Sequence, residues 1–257
     1  MTLIDSHCHL DFAAFSEDRE QVLSNCLARE IKHIVIPGVT ANSWLSLMEL
    51  CNQHIMLHFA LGLHPIFLNQ HQQSDLDQLD QLLTHQPAIA VGEIGLDFFV
   101  KELDKNKQIE FFEAQLLLAK KHNLPVILHT RKSHDQTIAL LKKHQVKGGI
   151  AHAFNGSIQQ AHAYIELGFK LGFGGMLTYQ RSTKLRKLAK ELPLEAIVLE
   201  TDSPDMTVEQ HRGSRNSPEY LPYILDALSQ VRQEDKALIA ATTTQNTRNV
   251  LGLVNSC

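Results

Sequence analysis

The sequence has no surplus of basic residues: 24 Lys and Arg stand against 28 Asp and Glu, a net charge of −4. A protein that grips a duplex by charge alone carries such a surplus. Any contact with nucleic acid therefore has to be local, at an active site. Cysteine is scarce, at Cys8, Cys26, Cys51 and Cys257, with no C-x-x-C pair and no short disulfide framework. Reduced thiols in a cytoplasmic protein are the expectation. The N-terminus has no basic stretch followed by an apolar one, so no secretory signal is expected. No apolar run approaches the roughly 20 residues that span a bilayer, which excludes a membrane helix. There is no Pro/Gly/Ser-rich linker and no low-complexity tract, so one domain over residues 1–257 is expected. Nothing in the pattern calls for an obligate protein partner.

What the chain does have is regular alternation. Hydrophobic residues make up 44% of it, enough for a sizeable core. Short β-type runs end near Ile4, Ile36, Leu61, Val91, Leu128, Ala151, Phe173 and Leu199, and each gap holds a plausible amphipathic helix. Helices are predicted over Lys105 to His122, with Ile109, Phe112, Leu116 and Ala119 on one face, and over Ser157 to Leu167, closed by Gly168. Two more follow, one after Ser217-Pro218 and one from about Asp235 to Leu251. Alternating βα units imply a parallel sheet with right-handed crossovers. Eight of them predict an α/β fold, a closed (β/α)₈ TIM-type barrel, rather than an open doubly wound sheet.

A barrel puts its chemistry at the C-terminal ends of its strands. Of the 15 histidines, His54, His71, His85 and His144 read as surface residues. Others stand where strands end. In Asp5-Ser6-His7-Cys8-His9 an extended chain points His7 and His9 to one side and Cys8 to the other, into the core. Glu93 follows the fourth run, flanked by Gly92 and Gly95, and a carboxylate can bridge two cations. Asp97 reads as a helix-start residue in preference to a partner of a metal ligand. His129 closes the fifth run, and Arg131, two residues on, suits phosphate oxygens. His152 ends the sixth run and Asp202 emerges from the eighth, with Glu200 deeper on the same side, able to orient a histidine.

Singly, each is ambiguous: an H-x-H is weak, a strand-end His can be a satisfied core residue, and Arg131 can be a surface ion pair. Jointly they fall at the ends of strands one, four, five, six and eight, which a barrel brings to one mouth. Mixed imidazole and carboxylate donors suit Zn²⁺, Mn²⁺ or Co²⁺, with Mg²⁺ possible at the more carboxylate-rich position. Two such divalent ions would activate a water and clamp a leaving oxygen.

The segments Asp5–Leu10, Gly62–Pro65, Gly92–Asp97, Pro125–His129, His152–Gly156 and Glu200–Pro204 together resemble the TatD family of metal-dependent deoxyribonucleases, within the amidohydrolase superfamily. They span nearly the whole chain in the family's order. Thr244, Asn246 and Leu251 also resemble the family's final helix, and Leu199–Met206 and Gly174–Tyr179 point to its YjjV-like subgroup. The resemblance implies hydrolysis of phosphodiester bonds in nucleic acid. It implies one ion on His7, His9, Glu93 and Asp202, and another on Glu93, His129 and His152. It makes Asp202 the proton acceptor from the attacking water, and His64 and Arg131 candidates for the substrate phosphate. Arg212 to Pro218 departs from the family's pattern, which leaves the choice of substrate open. The alternative is an ester or amide hydrolase, such as a D-aminoacyl-tRNA deacylase. Many amidohydrolase-like enzymes bridge their metals with a carboxylated lysine on strand four; Glu93 stands there instead.

Overall fold

The computed structural model describes residues 1–253. Cys257 lies outside the described residues; Cys8, Cys26 and Cys51 are buried free thiols, Cys8 in the core as its side of the chain predicts. Among the described residues eight strands alternate with helices. The strands are β1 Leu3–Asp5, β2 Ile31–Pro37, β3 Leu57–Ala60, β4 Val91–Asp97, β5 Val126–Arg131, β6 Gly149–Ala151, β7 Phe169–Phe173 and β8 Ile197–Leu199. The helices are α1 Arg19–Ala28, α2 Trp44–Gln53, α3 Gln73–His85, α4 Lys105–Lys121, α5 His134–His144, α6 Ile158–Glu166, α7 Thr183–Glu191, α8 Leu221–Arg232 and α9 Lys236–Leu251.

All strand pairs are parallel, in the orders β1-β2-β3 and β4 to β8. Two seams join them into the barrel. At one, Leu61 pairs with Val91, and the Gly92 amide donates to Leu61 O at 2.9 Å. At the other, the Ser6 amide donates to Leu199 O at 3.0 Å and the Asp202 amide to His7 O at 2.9 Å. Alternation along each strand divides the core. Ile34 and Ile36 of β2 pack outward against helices, while Val35 joins Ala60, Ala90, Ile127, Ile150 and Val198 in a separate inner cluster with Leu251 of α9.

The predicted helices form where expected. Ser157 caps α6 by accepting from the Gln160 amide at 3.1 Å, Gly168 follows at φ 83°, and Asp235 caps α9 through the Leu238 amide. Proline does open the next helical stretch, but Pro218 belongs to a 3₁₀ turn, Pro218–Tyr220, ahead of α8. Two strands run further than their apolar runs. β4 begins at Val91 and continues to Asp97, and β5 continues to Arg131, so Glu93 and His129 lie within strands. Gly95, at φ 145°, makes this possible, because a Cβ there would stand 2.0 Å from His129 O.

Candidate metal centre

At the C-terminal mouth of the barrel, Glu93 is the centre of the site. Its backbone amide donates to Gly38 O at 2.9 Å and its side chain is almost wholly buried. One carboxylate oxygen, Oε2, lies 3.2 Å from His7 Nε2 and 3.6 Å from His9 Nε2. The other, Oε1, lies 3.2 Å from His64 Nε2, 3.2 Å from His129 Nδ1 and 4.0 Å from His152 Nε2. The two oxygens thus face two sets of imidazoles. Burial pushes the Glu93 carboxyl up, but His64, His7 and His129 outweigh it and hold it well below the usual range.

His7 and His9 follow β1 rather than belonging to it, yet their side chains converge as the spacing predicts, Nε2 to Nε2 at 3.3 Å. The Cys8 amide, donating to Val35 O, and the His9 amide, donating to Ser203 O, fix the segment between neighbouring strands. Asp202 completes this side. Its Oδ1 is 3.7 Å from His7 Nε2 and 3.8 Å from His9 Nε2, and its Oδ2 is 3.8 Å from His152 Nε2. It sits at φ 56°, a left-handed position that Asp tolerates, and no α-helix begins there, so it is not a helix cap. His152 stacks on His7 with ring centroids 3.7 Å apart, and its Nδ1 is 3.1 Å from Glu200 Oε1. Glu200 also accepts the Ala153 amide at 2.6 Å, so it contacts both His152 and the turn after it.

Asp97 differs from expectation. Helix α4 is capped by Asp104 instead. Asp97 Oδ2 is 3.0 Å from His129 Nε2, and Oδ1 accepts the amides of Phe99 and Val100. It therefore turns His129 so that Nδ1 faces Glu93. Arg131 lies half-exposed at the mouth, its guanidinium 3.8 Å above the Phe99 ring and 4.0 Å from Asp97. His64, expected only near substrate, is as close to Glu93 as His129 is. Arg215, in the departing segment, is committed elsewhere: it pairs with both oxygens of Asp18 and lies over Phe15. Among the presumed surface histidines, His85 is exposed. His71 is buried, with Nε2 2.8 Å from His64 O, while His54 and His144 are partly buried on Glu20 and Glu113.

Sequence reasoning missed two supports. Asp5 is fully buried and accepts from the Thr201 hydroxyl at 2.5 Å and the Thr201 amide at 2.9 Å. Burial raises its carboxyl to about 8 against those bonds. Asn216, also fully buried, donates to Thr201 O at 2.8 Å and Asp205 O at 2.6 Å, bracketing Asp202. Asn216→Ala should leave the buried Thr201 carbonyl unpaired, while that of the exposed Asp205 can turn to water. We expect a loss of about 1–3 kcal/mol, read by denaturant unfolding, and a drop in kcat that exceeds any fall in metal content.

Three donor sets in this cluster have ligand atoms within 4.8 Å of one another: His7, Glu93 and His152; His7, His9 and Asp202; and His64, Glu93 and His129. Glu93 Oε1 is buried and, although 3.2 Å from His64 Nε2 and His129 Nδ1, makes no well-aligned hydrogen bond, and the buried Nδ1 atoms of His7 and His9 have no hydrogen-bond partner among the described residues. Such a set of imidazole and carboxylate donors fits divalent transition-metal ions. Protons compete for the same atoms. Burial, aided by Glu93 and Glu200, raises Asp202 to about 7 against His152. Burial lowers His152, but Glu200, Asp202 and Glu93 outweigh it and raise it to about 10. Metal uptake by chelator-stripped protein should therefore release more protons at pH 6, where Asp202, His152 and His129 (raised by Asp97 and Glu93 against its burial) each carry one, than at pH 8, where His152 is the main source. Affinity should rise with pH through 7. Calorimetric titration in buffers of different ionisation enthalpy measures this, and release that fails to grow as pH falls would contradict it.

A parallel barrel whose mouth gathers histidines and acids around one buried carboxylate defines a metal-dependent hydrolase. The chain belongs to the TatD family: the profile described as TatD related DNase matches residues 4–252. It is 40% identical to the metal-dependent hydrolase YjjV of Escherichia coli K12 over 247 residues, 95% of each chain. The crystal structure of that TatD homologue superposes with a TM-score of 0.95 at 38% identity, covering 98% of both chains. A more distant relative, 29% identical over 98% of this chain and 99% of its own, is the 3′-5′ ssDNA/RNA exonuclease TatD of Escherichia fergusonii. Among the described residues no helix is long and apolar enough to cross a membrane.

Proposed function

We propose that this chain, acting as a single domain, hydrolyses phosphodiester bonds in nucleic acid. The observation that carries the reading is the division of Glu93 between two groups of imidazoles, with Asp202 on one side and Arg131 at the entrance. His7, His9, Glu93 and Asp202 would hold one divalent ion, and Glu93, His129 and His152 a second. Such ions, when bound, activate water and neutralise charge developing on the phosphoryl group. Asp202 accepts the proton of the attacking water. Glu200 and Asp97 hold His152 and His129 in orientation. Arg131, stacked on Phe99 and so partly preordered, meets the phosphate, and His64 stands beside it in the same cavity. The name of the Escherichia fergusonii relative supports nucleic acid as the substrate.

Metal-reconstituted protein incubated with single-stranded DNA, duplex DNA, RNA and aminoacyl-tRNA, each alone, tests the reading. Cleavage of the polynucleotides supports it, whereas release of amino acid alone would replace it with ester hydrolysis. With a net charge of −4, the grip should be local. The binding constant should fall with salt at about 0.7 per contacted phosphate for single strands, and one to three contacts are expected. Arg131→Ala should remove about one of them and weaken binding about 10–100-fold, the range of a charged hydrogen bond. A slope implying many contacts would overturn the local grip.

A further inference from the structure

A second cavity, of about 360 Å³, adjoins the metal centre and shares Ala153, Asn155, Asp202 and Met206 with the cavity above it. It lies between the turn after β6 and the start of α7. Phe154, Met176, Leu185 and Leu188 give it apolar walls, and Arg181 and Lys184 stand at its lip. Lys184 is fixed there, its Nζ donating to Asn155 O at 2.7 Å, and the Arg181 guanidinium lies 5.2 Å from the Tyr179 ring centroid. No step of the proposed hydrolysis uses this space.

We infer that the cavity receives the base of the nucleotide whose phosphate sits at the metal centre, with Arg181 and Lys184 facing the adjoining phosphate. The inference rests on the phosphodiesterase reading and extends it. Three observations support it. The cavity is of ordinary ligand size, and its walls suit a flat, weakly polar ring. Its contact with Asp202 limits it to a group about one nucleotide from the attacked bond. Its charges are divided, with the cations Arg181 and Lys184 at the lip and the carboxylates Glu200 and Asp202 on the side of the metal centre, so an anionic group fits at the lip and a neutral ring within. A base can enter only after leaving its stack, so unpaired ends and single strands have access where intact duplex does not.

The test compares thymidine 5′-monophosphate with deoxyribose 5-phosphate, which has the same phosphate and no base. Binding to zinc-reconstituted protein is measured by calorimetry, and the folded state and metal content of each variant are checked. The wild-type chain should bind the nucleotide at least about tenfold more tightly. Met176→Trp and, separately, Leu185→Trp fill the cavity from two walls, and either should bring that ratio close to one. A wild-type ratio near one, binding of neither probe, or a ratio that survives in both folded variants would overturn the subsite. Because the measurement involves no bond cleavage, it is separable from the reaction. A base preference abolished by the tryptophans in a protein that cleaves no polynucleotide would overturn the phosphodiesterase reading and leave the subsite standing.

Discussion

Asp202→Asn should lower turnover about 10²–10⁴-fold, the range for a positioned general base, with metal content largely retained and substrate binding near normal. The geometry separates this residue from the other acids. Glu93 is almost wholly buried, while the Asp202 side chain retains 17% exposure and lines the cavity that substrate would enter. Its backbone is held on both sides, by His7 O accepting its amide and by Asn216 bracketing the neighbouring carbonyls. The carboxyl is therefore fixed relative to His7, His9 and His152 and still reachable by water. Asn keeps the shape and one oxygen but accepts no proton. Burial, with Glu93 and Glu200 beside it, places Asp202 near 7 against His152, and bound cations would draw it down so that it stays ionised in the loaded enzyme. Single-turnover rates on an Asn variant of known metal content decide the matter. Near-normal turnover would remove the base assignment.

The parts of this site that the sequence makes legible are those attached to strand ends. Val126–Ile127–Leu128 is an apolar run rich in β-branched residues with His129 just beyond, and such a run names both the strand and the residue at its mouth. β4 breaks the rule. Gly-Glu-Ile-Gly-Leu-Asp has little strand propensity, and only the packing of β5 against its glycines extends it past Val91. With that extension Asp97 moves from a predicted helix start to the end of a strand, within reach of His129. No local pattern carries that information.

The remaining misses are contacts between distant segments. Asp5 meets Thr201 across a separation of 196 residues, and Arg215 meets Asp18 across 197. Both pairs tie the ends of the barrel together, and neither residue type signals a partner by its neighbours. His71 looks like any polar loop residue, but the 3₁₀ turn Pro65–Gln70 folds it back onto His64 O beside Phe111. The same fold-back carries His64 up to Glu93. Gly62-Leu63-His64-Pro65 marks the segment as unusual; its distance to strand four is a tertiary fact.

Glu93→Gln should remove metal from both positions together and lower activity more than about 100-fold, since changes to the outer partners of ligands already reach 10–100-fold. The reasoning starts from the two oxygens. Oε2 serves His7 and His9, and Oε1 serves His64, His129 and His152, so each half of the centre depends on one of them. A glutamine offers one oxygen and one NH₂ donor and carries no charge. Whichever way the amide turns, one group of imidazoles meets a donor where it had an acceptor. The buried negative charge that offsets cation binding is also gone, and Asp202 and Glu200 stand on one side only. Mutation of an ordinary ligand such as His152 should instead impair one group more than the other. Elemental analysis of the folded Gln variant, beside the same analysis of His152→Ala, distinguishes the cases. Retention of wild-type metal content with normal turnover would rule out Glu93 as the shared group, and loss confined to one ion would show that it serves a single position.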